Sequence, residues 1–129
     1  MTFAMLIPGG RPLTAQEASL VGWLLEHGSP DAAAFLPQLF EAMVVSRCTC
    51  GCASIDFAIW GAVSPIKTGI EVLSDDQWQE ADGSLCGVFV FARGGRLAGL
   101  EVWSVDGQST ASSLPAIDQL RPLVTTPTA

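Results

Sequence analysis

Apolar residues recur every three to four positions in the first third of the chain, which is the spacing of an amphipathic helix. Residues 1–13 form an arm interrupted by glycine and proline. Thr14 and Glu17 then have the spacing of a capping box, in which each side chain accepts a hydrogen bond from an N–H group of the first turn. The pattern predicts a first helix over residues 15–27, followed by Gly28 as its terminator.

A second helical segment is predicted to follow, up to residue 43. Ser29-Pro30-Asp31 supplies a cap, a proline suited to the first helical position, and an acid near the positive end of the helix dipole. Pro37 lies inside this segment and is expected to kink or split it, because proline has no N–H to donate. The expected apolar face consists of Phe35, Leu36, Leu39, Phe40 and Met43.

The period changes to that of strands after residue 43. Five runs rich in β-branched and aromatic residues, separated by turn residues, predict strands. Asp82-Gly83 and Gly94-Gly95 have the composition of two-residue hairpin turns. The runs cover residues 44–48, 54–60, 68–74, 86–93 and 97–105.

These elements predict the fold class α+β, with two N-terminal helices packed on one face of a roughly five-stranded, mostly antiparallel sheet. The whole of residues 1–129 is expected to form a single domain. Within it, residues 14–43 form the helical part, residues 44–107 the sheet, and residues 108–129 a short helical turn and a tail.

The hairpin at Gly94-Gly95 fixes an expected register for its two strands. A two-residue loop places Arg93 opposite Arg96, and regular pairing then places Phe89 opposite Leu100. This face is apolar throughout, so it is expected to meet the helices.

The opposite face of the same hairpin is a candidate binding surface. There the regular register pairs Val88 with Glu101 and Cys86 with Trp103, which groups an acid, an indole and a thiol. One interpretation is a solvated Glu101 beside a partly exposed Trp103. The other is a shallow binding surface or a dimer contact anchored by Trp103.

Composition and charge exclude several classes of protein. Hydrophobic residues make up 49% of the chain and charged residues 15%, which argues against intrinsic disorder. The formal net charge is −7, with six scattered basic residues, so neither nucleic acid nor an anionic membrane surface is an expected partner. No segment approaches the roughly 20 apolar residues of a membrane span. The start of the chain lacks the basic region of a signal peptide, so we expect a cytoplasmic protein with reduced thiols.

Three of the four cysteines, Cys48, Cys50 and Cys52, alternate within five residues, and Cys86 is distant in sequence. One interpretation is that they are small buried hydrophobes at a tight bend that Gly51 permits. A second is a thiolate metal site, with zinc held by Cys48, Cys50, Cys52 and Cys86, although the spacing differs from that of zinc ribbons and fingers. A third is a thiol-dependent enzyme using Cys50 or Cys52, which would need a base.

No catalytic base is evident in the sequence. The only histidine, His27, ends the first helix, where it is expected to interact with the terminal carbonyl groups. Paired carboxylates, a nucleophile elbow, a phosphate-binding loop and a metal-binding histidine pair do not occur. The sequence therefore indicates no catalytic residue. Whether the protein is an enzyme stays open, and the sequence favours a protein that is not one.

Two stretches of the chain resemble a group of small bacterial proteins that has no established activity. The stretches are Arg47-Cys48, Cys50-Gly51-Cys52 and Ser54-Ile55-Asp56, followed by Gly95-Arg96-Leu97, Leu100-Glu101-Val102 and Asp106-Gly107. In that group an RCxCGC motif precedes a strand, and a GRL…LEV…DG strand pair follows. The similarity covers roughly residues 44–120. The resemblance implies a bacterial source. It also implies that the cysteine cluster and the strand ending at Trp103 belong to one structural unit.

The sequence thus favours a small non-enzymatic binding or interaction module that forms a homodimer and takes an unknown protein or small-molecule partner. No cofactor is expected under this hypothesis. The alternative is a zinc-binding protein that uses the Cys48, Cys50 and Cys52 cluster.

Overall fold

A computed structural model describes residues 4–49, 51–59, 69–105 and 111–122. One sheet of seven antiparallel strands runs through them, in the spatial order β1-β2-β3-β6-β5-β4-β7. The strands are β1 Ala4–Pro12, β2 Ala42–Cys48, β3 Ile55–Ile59, β4 Ile70–Gln79, β5 Leu85–Arg93, β6 Arg96–Ser104 and β7 Arg121–Pro122. The α+β class is confirmed, but six longer strands and one two-residue strand replace the predicted five.

The first helix, α1, extends over Ala15–Glu26 and begins with the predicted capping box. The backbone N–H of Glu17 donates to the Thr14 hydroxyl at 3.1 Å, and the N–H of Thr14 donates to the Glu17 carboxylate at 2.8 Å. Helical spacing predicts an apolar face of Ala18, Val21, Leu24 and Leu25, widened by Leu20 and Trp23. Leu20, Val21, Leu24 and Leu25 are buried, whereas Ala18 and Trp23 are half-buried.

Gly28 does not end α1 through a left-handed conformation, because its φ is not positive. It instead allows close approach of two backbones. A Cβ atom at Gly28 would collide with the carbonyl oxygen of Leu73 in β4, and the N–H of Ser29 donates to the same oxygen at 2.8 Å. The glycine therefore lets the end of α1 bond directly to the sheet.

The second helical segment is split, as Pro37 predicted, but it is much shorter than expected. A 3-10 turn, Ala32–Phe35, is followed by α2, Leu36–Leu39, in which Pro37 lies in the first turn. The chain then enters β2 at Ala42, so the prediction of helix up to residue 43 was wrong. Phe40 is 91% exposed and does not belong to an apolar helix face.

Both outer parts of the sheet contain strand that the sequence did not predict. The N-terminal arm is an edge strand, β1, which pairs with β2 and has an irregularity between Leu6 and Arg11. At the other edge β4 continues to Gln79, and β7 pairs with it at Asp76 and Gln77. The turn at Asp82-Gly83 is a five-residue loop, since Gln79 pairs with Leu85. Asp106-Gly107, which by its composition is expected to end the last strand, lies outside the described residues.

The hairpin between β5 and β6 begins as predicted and then departs from the regular register. Arg93 pairs with Arg96, and both glycines of the loop have positive φ. A bulge follows at Ala98, so Ala92 pairs with Leu97 but Phe91 pairs with Gly99. Every later pair is displaced by one residue, and Phe89 lies opposite Glu101 rather than Leu100.

The hydrophobic core lies between the sheet and the elements on one of its faces. Helix α1 supplies four buried apolar side chains to it, and the segment 111–120 adds Ala111 and Leu120. From the sheet come Val88 and Val90 of β5 and their neighbours on the adjoining strands. The face turned away from α1 and α2 is called the open face below.

Candidate functional site

The open face carries a diagonal run of apolar side chains across three strands. Pairing places Trp103 of β6 beside Gly87, and Val72 of β4 beside Phe91. Side chains of the same face alternate along each strand. The run, called the apolar stripe below, consists of Trp103, Phe89, Phe91, Val72 and Ile70.

Two glycines determine how the aromatic side chains lie on this face. A Cβ atom at Gly87 would overlap the Trp103 indole, and one at Gly99 would overlap the Phe91 ring. Each ring therefore lies flat over the glycine on the neighbouring strand. The Phe89 and Phe91 rings are 5.9 Å apart between centroids and tilted by 51°, a favourable geometry for an aromatic pair.

The apolar stripe remains partly exposed to solvent. Trp103 is 36% exposed, Val72 50% and Ile70 62%. Contiguous apolar surface of this kind on a small protein is typical of an interaction site.

Charged groups border the apolar stripe on both sides. Glu101 lies on β6, and burial followed by the nearby charge of Asp56 raises the pKa of its carboxyl. The Asp56 carboxylate accepts a hydrogen bond from the Ser46 hydroxyl at 2.7 Å. Asp75 borders the stripe on β4, and burial raises the pKa of that carboxyl as well.

One cation lies at the end of the stripe. The Arg93 guanidinium is 5.9 Å from the centroid of the Phe91 ring, within the range of a cation–π contact. The open face therefore combines an apolar centre, two flanking carboxylates and a terminal arginine.

The structure divides the four residues of the predicted binding surface between the two faces. Glu101 and Trp103 lie on the open face, as expected. Cys86 and Val88 are buried in the core on the helix side. The cause is the bulge at Ala98, which shifts β6 by one residue relative to β5. Val88 therefore pairs with Val102 on the helix side, and Phe89 pairs with Glu101 on the open face.

Phe89 and Phe91 were missed as surface residues for the same reason. The register prediction directed Phe89 towards the helices, but it is half-buried on the open face opposite Glu101. Gly99 was the available signal, because a glycine inside a strand often marks a bulge.

Two of the described cysteines, Cys48 and Cys86, lie far apart in the sheet. Both side chains are buried, and that of Cys52 is half-buried. Cys50 lies outside the described residues. Strands β3 and β6 separate Cys48 from Cys86, which amounts to three strand spacings of about 4.8 Å each. That separation does not suit two thiolates that each need about 2.3 Å to one zinc ion.

His27 lies where its predicted structural role requires. Its Nδ1 atom donates to the carbonyl oxygen of Trp23 at 2.9 Å, and its ring stacks on the Trp23 indole with centroids 4.2 Å apart. The imidazole thus closes the C-terminal end of α1.

Comparisons with family models, with curated proteins and with solved structures gave no significant match. Within the described residues, no helix is both long and apolar enough to cross a membrane. The interpretation of the open face consequently depends on its own geometry.

Proposed function

We propose that this protein is a non-enzymatic binding module whose open face binds a second copy of the same chain. The observation that carries the proposal is the apolar stripe, which leaves Trp103 on the central strand β6 and Val72 near the β4 edge partly exposed. A two-fold contact is the commonest way to cover such a surface, because one patch then covers its own copy. Trp103 is the natural anchor, since tryptophan is enriched among the residues that dominate interfaces.

The charges on the open face suit a two-fold arrangement. Phe89 and Arg93 lie two residues to either side of Phe91 on β5, and the cross-strand partners of Phe89 are Asp75 and Glu101. A two-fold axis that lies between two facing sheets, perpendicular to the strands and level with Phe91, would set the partner's Arg93 over Phe89. There it would lie between two carboxylates. Each copy would thereby neutralise two acids whose ionisation burial opposes.

Sedimentation velocity of wild-type protein beside two variants tests the proposal. We expect a dimer at about 10 µM, the range of an interface of ordinary affinity. Trp103→Ala should dissociate the dimer by removing its anchor, and Arg93→Glu should do so by placing like charges together. Phe40→Ala is the matched control, because Phe40 is an exposed aromatic residue at the C-terminal end of α2 and is not part of the open face. A monomeric wild-type protein, or a dimer indifferent to both variants, would contradict the proposal.

A second candidate function is zinc binding at the connection between β2 and β3. The observation that favours it is the return of the chain after Gly51, where the N–H of Cys48 donates to the carbonyl oxygen of Ser54 at 3.3 Å. The chain therefore returns to Cys48 at Ser54, two residues after Cys52. Elemental analysis with a free-thiol count separates the candidates. Near-stoichiometric zinc that Cys52→Ser removes and Cys86→Ser leaves would support the metal site.

A further inference from the structure

A cavity of about 270 Å³ lies between the end of α1 and the outer strand β4. Its wall comprises His27, Ser29, Val72, Leu73, Ser74 and Asp76, among others. The β4 bulge at Leu73 forms one side, and the chain leaving α1 forms the other. Since β7 pairs only with Asp76 and Gln77, this part of the β4 edge has no neighbouring strand among the described residues.

The cavity wall contains buried polar side chains without partners. Asp76 is 7% exposed, and its carboxylate makes no hydrogen bond or ion pair with the described residues. Ser74 is 6% exposed, and its hydroxyl is buried with no hydrogen-bond partner. The buried hydroxyl of Ser29 also has none. Buried polar groups in folded proteins are almost always hydrogen-bonded, so two such hydroxyls beside the Asp76 carboxylate indicate a missing partner.

The electrostatics of the site favour a positively charged partner. Burial, and then the charge of Asp75, raise the pKa of the Asp76 carboxyl, while His27 lowers it. The described residues place no lysine or arginine beside Asp76 in an ion pair. A cation that entered the cavity would therefore favour the ionised form of Asp76 and relieve the cost of burying its charge.

The acceptors at the site match a donor-only cation. The Asp76 carboxylate accepts only, and the two serine hydroxyls can accept. The described residues include no group of three or more His, Cys, Asp and Glu side chains placed for a metal ion.

We propose that this cavity binds a small primary alkylammonium ion. The ammonium group has three donors and no acceptor, which suits the Asp76 carboxylate and the hydroxyls of Ser29 and Ser74. Val72, which is half-exposed, offers apolar surface to the alkyl chain. The site lies at the β4 edge and shares Val72 with the apolar stripe, but the ammonium is held by Asp76, Ser29 and Ser74, which do not belong to the proposed dimer contact.

Titration of ¹⁵N-labelled protein with n-butylammonium chloride tests the site by two-dimensional NMR. We expect saturable shifts of the backbone amides of Gly28, Ser29 and the residues 73–76, with a Kd on the order of millimolar for so small a ligand. Tetramethylammonium is the matched probe, because it carries the same charge but no N–H donor, and it should produce no saturable shift. Equal responses to both cations would overturn the proposal, and so would the absence of a response, which would mean that only water occupies the cavity.

Variants connect the binding to the unpartnered side chains. Asp76→Asn should weaken n-butylammonium binding by about tenfold or more, since hydrogen bonds to charged groups contribute on that order. The same substitution should raise the thermal midpoint of the free protein, because it removes a buried charge. Ser74→Ala should weaken binding less, and Glu41→Gln, which removes an exposed carboxylate, should not change it. Unchanged affinity in both Asp76→Asn and Ser74→Ala would refute the assignment.

Discussion

Glu17 shows how one residue can join a local signal to a distant contact. The capping box with Thr14 was predictable, because both partners lie within one helical turn. The salt bridge to Arg11 was not, because it depends on the N-terminal arm being a strand. Arg11 donates to the two carboxylate oxygens at 2.8 and 3.0 Å, and so connects β1 to α1.

The Arg11–Glu17 pair provides a test at the residue scale. Burial opposes ionisation of Glu17, but the hydrogen bonds from Arg11 and Thr14 prevail and lower the pKa of its carboxyl. Arg11→Met keeps the aliphatic stem and leaves a buried carboxylate short of donors. We expect the free energy of unfolding to fall by about 1–3 kcal/mol, measured by urea denaturation. The double variant with Glu17→Gln should recover part of this loss; no recovery would mean that Arg11 acts by packing alone.

At the scale of elements, the sequence predicted best where periodicity and turn chemistry agreed. The Gly94-Gly95 turn and the buried apolar face of α1 are such cases. It failed at β4, because the run from Asp75 to Gln79 reads as polar although Trp78 within it is buried. It also failed beyond Ala98, because alternation alone does not reveal a bulge. Because of that single extra residue, Phe89 lies on the open face, and Cys86 and Val88 lie on the helix side, each opposite to the prediction.

The bulge at Ala98 can be tested by deleting the residue. Leu97 already pairs with Ala92 and Gly99 with Phe91, so a chain without Ala98 would pair regularly and keep every side chain on its present face. We expect a cooperative unfolding transition and a loss of no more than about 2 kcal/mol.

Deletion of Ala58 is the matched control for that experiment. It lies in β3 opposite Met43, between two regularly paired neighbours, where removing one residue would turn Ile59 from the core to the other face. A more damaging deletion at Ala98 than at Ala58, measured by near-UV circular dichroism and urea, would contradict the register.

At the scale of the whole molecule, the sequence predicted the layers but not what each face carries. Two short helices and an antiparallel sheet follow from periodicity. The segment 111–120, which adds to the core on the helix side, does not, because it has little regular structure. The acidic composition was visible from the start, but only the fold shows that several carboxyls are held where burial resists their ionisation.

Those carboxyls predict an unusual dependence of stability on pH. Burial raises the native pKa of Asp75, Asp76 and Glu101, with Asp75 adding to the shift at Asp76 and Asp56 to that at Glu101. A native pKa above the unfolded value means that the native state holds more protons. Each group therefore lowers the free energy of unfolding as the pH rises from its unfolded pKa of about 4 to its native value, and this loss is complete above it.

Glu17 acts in the opposite sense, since its lowered pKa contributes stability that disappears as the pH falls through the native value. The exposed Asp82 acts in the same sense as Glu17, because hydrogen bonds from Ser84 lower its pKa. With three groups against two, we expect the urea midpoint of Trp103→Ala, in which no partner's arginine faces the open-face acids, to be highest at mildly acidic pH when measured at constant protein concentration. It should decline towards pH 7, whereas most proteins are most stable between about pH 5 and 8. Asp76→Asn combined with Glu101→Gln should flatten the decline. A midpoint of Trp103→Ala that rises steadily up to pH 7 would show that burial does not oppose the ionisation of these carboxyls to the expected extent.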